Sequence, residues 1–223
     1  MKKLLKGIVD FRENIRPSYK ETFAKLALGQ SPDALYIGCS DSRVAVNLFA
    51  STDPGDLFVS RNVGNLIPPY NEKEQSSSDE SEAAIIEFAL NNLNVTSIIV
   101  CGHSECGAIQ SLVSGRSHVQ TPNLKSWLRH GEEALNLIDV NPTFAKELSK
   151  HNRVSQMNVV LQIEHLKTYP IVQERLKTKK LNLHGWWFEL KQAEVYAYEE
   201  TIKKFVLIDD EVADKILKRI ETH

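Results

Sequence analysis

Three residues of this chain have side chains suited to holding a borderline dication. His103 and Cys106 stand three apart in Cys101-Gly102-His103-Ser104-Glu105-Cys106-Gly107, and Cys39 lies in Ile37-Gly38-Cys39-Ser40-Asp41-Ser42-Arg43. Zinc prefers thiolate and imidazole donors in a tetrahedron, and three protein donors leave one position for water or substrate. His-x-x-Cys alone is a weak two-ligand fragment; Cys39 is the third donor it needs. The Cys39 turn also carries Asp41 and Arg43, two apart, so the guanidinium can fork onto the carboxylate and hold it ionised. An anchored Asp41 can accept a hydrogen bond from a water at the open position and relay a proton outward. A site whose fourth position a protein group fills permanently would only stabilise the fold. Cys101, in mid-strand, reads as a buried structural residue.

Positioning these groups is the task of the surrounding elements. Residues 35–38 and 97–100 read as buried strands ending at the two motifs. Side by side and parallel, they open both turns at the carboxyl edge of one sheet, where open α/β folds place their ligands. Residues 57–61 read as another strand, and 179–190 as a strand paired in a hairpin with 194–198. Helical character marks 44–49, the stretch ending at Leu93, 107–113, 124–138, 154–166 and a surface helix at 210–220. A polar loop at 71–81 supplies caps for the helix ending at Leu93.

Upstream, Leu4, Leu5, Ile8, Phe11 and Ile15 recur at helical spacing until Pro17 ends or kinks the pattern, and Tyr19, Phe23, Leu26 and Ala27 mark a second helix. The expected fold is α/β. A central, mostly parallel four-stranded sheet carries an added antiparallel edge strand, with flanking helices and an N-terminal helical arm. One domain is expected over 1–223: arm 1–30, metal-binding core 31–200, and a C-terminal helical extension 201–223.

With 223 residues, 42% of them hydrophobic, the chain can bury a full core. A net charge of −2 and no basic stripe with interleaved aromatics argue against nucleic acid. No run reaches the ~18 apolar residues of a membrane span, and Lys6 and Asp10 interrupt any signal-peptide core. Three cysteines, two of them in motif turns, point to metal ligation in a reducing compartment, simplest as the cytoplasm. His118, His130, His151, His165 and His223 lack ligand spacing and read as surface residues, His184 as a structural strand residue.

The two motifs, with Gln30-Ser31-Pro32, Pro54-Gly55-Asp56-Leu57-Phe58-Val59, Arg61-Asn62-Val63-Gly64-Asn65 and Leu183-His184-Gly185-Trp186, resemble the β-class carbonic anhydrases over residues 3–200. The resemblance implies one zinc per subunit on Cys39, His103 and Cys106. It implies reversible hydration of CO2 to bicarbonate by zinc-bound hydroxide, with Asp41 and Arg43 as a catalytic dyad and Asp41 as an alternative fourth ligand in a closed state. It places Gln30 on substrate oxygen and Phe58, Val63, Phe88 and Gly102 around the CO2 site, in a homodimer or larger homo-oligomer such as a tetramer. Phe88 departs from the family's common tyrosine, and Ala108 from a frequent glycine. Relatives of the fold hydrolyse CS2 or COS with similar chemistry. One subgroup binds inhibitory bicarbonate through tryptophan, arginine and tyrosine; here Tyr36, Arg61 and Glu164 align with these, and a carboxylate would repel bicarbonate, so that regulation is expected to be absent.

Overall fold

The computed structural model describes residues 1–70 and 80–221. The polar stretch 71–79, read as a loop with its caps, and His223 lie outside the described residues. The chain runs α1 (Lys2–Asp10), a π-helical turn (Phe11–Ile15), α2 (Arg16–Leu26), β1 (Ala34–Cys39), α3 (Val46–Phe49), β2 (Leu57–Asn62), α4 (Glu80–Asn91) and β3 (Ser97–His103). It continues through α5 (Gly107–Val113), α6 (Pro122–Trp127), α7 (Glu133–Val140), α8 (Lys150–Leu166), α9 (Pro170–Lys177), β4 (Asn182–Glu189), β5 (Glu194–Glu199), β6 (Lys204–Leu207) and α10 (Asp210–Glu221).

Among the described residues six strands form one sheet in the order β2-β1-β3-β4-β5-β6. The first four are parallel, and β5 and β6 follow antiparallel. Every residue of β1 is buried, as a parallel strand covered on both faces requires. Leu35, Ile37, Ile98 and Val100 pack with Ile86 and Leu90 of α4 and with Val159 and Ile163 of α8. On the other face Tyr36, Ile99, Cys101 and Phe188 form their own cluster. A third cluster lies beyond the carboxyl edge, where Cys39 and Cys106 pack with Leu66, Ile109, Leu112 and Met157.

The sheet edge is longer than expected. Residues 204–207, assigned to a helical extension, form β6; the run is too short to show a period, and Phe205 is held there by the Tyr198 ring at 5.3 Å. Pro17 does not end the N-terminal helix. The wide π turn hands over to α2 with proline in its first turn, where no intrahelical N–H is needed. Helix α9, absent from the sequence reading, starts at Pro170 in the same way. Of the histidines read as surface residues, His118 is exposed, whereas His130, His151 and His165 are half-buried. His165 Nδ1 donates to the Ile67 carbonyl at 2.7 Å, and burial pushes its pKa down. His184 is the strand residue expected, with burial lowering its pKa to about 4.

Glu164 belongs to α8, on the face opposite Tyr36, and pairs with Lys167 at 2.8 Å. Tyr36, Arg61 and Glu164 are therefore not assembled into one site within the chain.

Candidate metal centre

Cys39 is the last residue of β1 and His103 the last of β3, and Gly38 lies opposite Cys101. Both donors therefore leave the same carboxyl edge. Cys106 follows at the N-cap of α5. The ligand atoms of the three residues all lie within 4.8 Å of one another, and all three residues are buried. The two sulfurs are 3.9 Å apart. Their hydrogen bond draws Cys39 toward the thiolate and pushes Cys106 up, and the Gly64 N–H adds a bond to the Cys39 sulfur at 3.4 Å.

The hydrogen bonding of His103 suits a ligand. Its Nδ1 lies 2.8 Å from the Ser104 carbonyl, which can only accept, so Nδ1 carries the proton and Nε2 keeps its lone pair. That Nε2 is buried and has no hydrogen-bond partner among the described residues. An unpartnered buried nitrogen is costly unless something else binds it, and it lies beside two thiols. This donor set fits a tetrahedral thiophilic dication with three protein ligands.

Ser155 Oγ, itself taking a bond from Trp187 Nε1, donates to the His103 carbonyl at 2.7 Å and so ties the strand end to α8. Gly102 makes that approach feasible: a Cβ there would stand 2.7 Å from Val159 Cγ2. Its packing against α8 thus explains the glycine. Gly102→Ala is expected to cost about 1–3 kcal/mol by overpacking, a loss visible in calorimetry as a melting point several degrees lower.

Asp41 accepts three bonds from Arg43: the backbone N–H and Nε at 2.9 Å on Oδ1, and Nη2 at 2.7 Å on Oδ2. The Arg43 side chain holds the carboxyl well below the usual carboxylate range. Asp41 Oδ2 is 3.9 Å from His103 Nε2, so the dyad borders the ligand cluster. Arg61 braces the turn from β2, donating to the carbonyls of Cys39 at 3.0 Å and Asp41 at 2.6 Å.

The remaining expected site residues are dispersed. Phe58 and Phe88 pack ring to ring at 5.7 Å, with Phe88 still 43% exposed. Val63 is half-exposed, its carbonyl fixed by Trp127 Nε1 at 2.7 Å. Gln30 lines a surface groove with Phe23, Leu26, Leu28, Pro54 and Gly55, none of them part of the ligand cluster. Sequence reasoning missed Ser155, Trp187, His151 and Asn152, which reach the metal turns from elements far along the chain, and it gave Glu105 no role.

Fold and site together define an α/β protein with a Cys2His centre at the carboxyl edge of a parallel sheet. The carbonic anhydrase family model matches residues 34–195. The carbonic anhydrase of Synechocystis sp. is 38% identical over 207 residues, covering 92% of this chain and 74% of the relative. That of Pseudomonas aeruginosa is 35% identical over 206 residues, 92% of this chain and 91% of the relative. The solved structure of the β-carbonic anhydrase CcaA superposes with a TM-score of 0.83 at 37% identity, covering 94% of this chain and 92% of that one. One of two tetrameric β-carbonic anhydrases from Sordaria macrospora superposes at 0.75 with 29% identity, covering 88% and 95%. The chain belongs to the carbonic anhydrase family, in its β class.

Proposed function

We propose that this carbonic anhydrase uses one zinc ion per chain, held by Cys39, His103 and Cys106, to hydrate CO2 reversibly to bicarbonate and a proton. The observation that carries the reading is the buried, unpartnered Nε2 of His103 grouped with two thiol sulfurs. When bound, such an ion acts as a Lewis acid that brings the pKa of a coordinated water down toward neutrality.

The chain's own residues do the rest. Both carboxylate oxygens of Asp41 are taken up by Arg43, which favours the open arrangement over the closed one. Asp41, fixed by Arg43 beside the cluster, orients the attacking water by accepting its hydrogen bond. Phe58 stands opposite Leu35, four residues before Cys39, so Phe58 and Phe88 can line an apolar CO2 site only for a neighbouring subunit's cluster, with Val63 beside the chain's own metal turn. Gly102, whose Cα packs on Val159, is a substrate-side position through its backbone alone, and Gln30 reaches substrate only in an assembly that closes its surface groove.

A homodimer or larger homo-oligomer supplies that closure. Helix α1 buries no residue, and Leu4 and Ile8 are 65% and 64% exposed, an apolar face that a second copy would cover; the Sordaria neighbours set the precedent of a tetramer. No helix among the described residues is long and apolar enough to cross a membrane. Three free cysteines suit a reducing cytoplasm.

Stopped-flow CO2 hydration tests the reading. Chelator-treated protein is expected to fall to the uncatalysed rate and to recover as zinc is restored to one per chain; zinc-loaded protein without activity above pH ~8, where a zinc-coordinated water is ionised, would refute it.

A further inference from the structure

Within the metal turn, Glu105 has a left-handed backbone, φ 54°, which is uncommon for a residue other than glycine, asparagine or aspartate. Such a conformation persists when its surroundings fix it. Two adjacent residues at the start of α8 do so. The Asn152 amide is used at both ends: its Oδ1 accepts the Glu105 backbone N–H at 2.8 Å, and its Nδ2 donates to Glu105 Oε1 at 2.9 Å. His151 Nε2 lies 2.9 Å from both carboxylate oxygens. Gln110 Nε2 adds a longer contact at 3.3 Å.

This grip has a consequence on the far side of the peptide. The Glu105 carbonyl accepts Arg43 Nη2 at 3.1 Å, and that same Nη2 donates to Asp41 Oδ2. The Arg43 side chain is 52% exposed, so its own burial does little to fix it. A half-exposed arginine with one partner samples several rotamers; a second acceptor on the same nitrogen selects one.

We propose that Asn152 and His151 are positioning residues: by clamping Glu105 they present its carbonyl to Arg43 and so hold the guanidinium on Asp41. Neither touches the ligand cluster in the contacts described, and they act through Arg43. The proposal rests on the reading of Asp41 and Arg43 as a working dyad.

A double-mutant cycle separates this role from plain structural support. Asn152→Ala, carrying a full complement of zinc, is expected to lower kcat about tenfold with little change in KM. In an Arg43→Ala background the same substitution should cost less than about twofold, because the group it positions is gone. His151→Gln, the milder change, should lower kcat about threefold and lose its effect in the same background. It keeps the test decisive if Asn152→Ala does not fold. Equal losses in both backgrounds, or no loss in the wild-type background, would overturn the clamp. If Arg43→Ala alone left kcat unchanged, the dyad reading would fall and the clamp with it; a fall caused by Arg43→Ala with an undiminished Asn152 effect would overturn the clamp alone.

Discussion

Cys106→Ser is expected to strip the protein of most of its zinc and to slow CO2 hydration by at least about 10³-fold, with the fold retained. Cys106 is 2% exposed and its sulfur lies 3.9 Å from that of Cys39, so a replacement must serve as a ligand from within a dry cluster. Serine's hydroxyl does not ionise near neutral pH as a metal-bound thiol does, and it supplies no soft donor. The control is Cys101→Ser. Cys101 is fully buried on the Tyr36 face of the sheet, and burial pushes its thiol up to about 12, the behaviour of an inert core residue. That variant should keep one zinc per chain and the wild-type rate per folded molecule, losing stability only. Metal analysis with circular dichroism and stopped-flow rates reads both, and zinc retention by Cys106→Ser would remove this cysteine from the ligand set.

Breaking the dyad should be the next largest effect. Asp41→Asn and Arg43→Ala are each expected to lower kcat/KM about 10²-fold, the scale of losing orientation at the reacting centre. The double variant should be little worse than either single one, since the two act as a unit. A stability signature accompanies the kinetic one. Asp41 titrates lower in the folded chain than its ordinary value, chiefly because Arg43 donates to it. Its pairing therefore stabilises the fold above the unfolded carboxyl pKa of ~3.9 and is lost as pH falls through the lower folded value. Arg43→Ala should be less stable than wild type at neutral pH, with the gap closing below about pH 4. Thermal melts across that range check the sign; a gap that widens toward acid would contradict it. Because Arg43 is half-exposed and solvent screens the pair, the stability difference should be modest beside the loss of rate.

Much of this site was legible because it is local. Cys39 with Asp41 and Arg43, and His103 with Cys106, each end a short apolar run, and buried parallel strands are what such runs form. That β1 and β3 are neighbours follows from the need to bring a third donor to His103 and Cys106. Less was legible where the signal depends on tertiary contact. Four residues, 204–207, carry no readable period, and nothing in their sequence separates β6 from the helical extension that follows. Pro17 reads as the end or a kink of the helix, and no composition rule announces the π turn that carries the helix on into α2. Asn152 sits 47 residues from Glu105, and only the docking of α8 beside the metal turn reveals their pairing. Glu164, aligned by order along the chain with a regulatory tyrosine, lies on the other face of the sheet from Tyr36; sequence order does not tell on which face of a sheet a helix lies.

A zinc ion on Cys39, His103 and Cys106, with Arg43 keeping Asp41 off it, would show in diffraction at the zinc absorption edge from zinc-loaded crystals at pH ~8, where a zinc-coordinated water is ionised. One anomalous peak per chain is expected, about 2.3 Å from both sulfurs and about 2.0–2.1 Å from His103 Nε2. Asp41 should still be forked by Arg43, with a non-protein atom completing the tetrahedron. A peak elsewhere, or an Asp41 oxygen within about 2.2 Å of the ion, would contradict this arrangement.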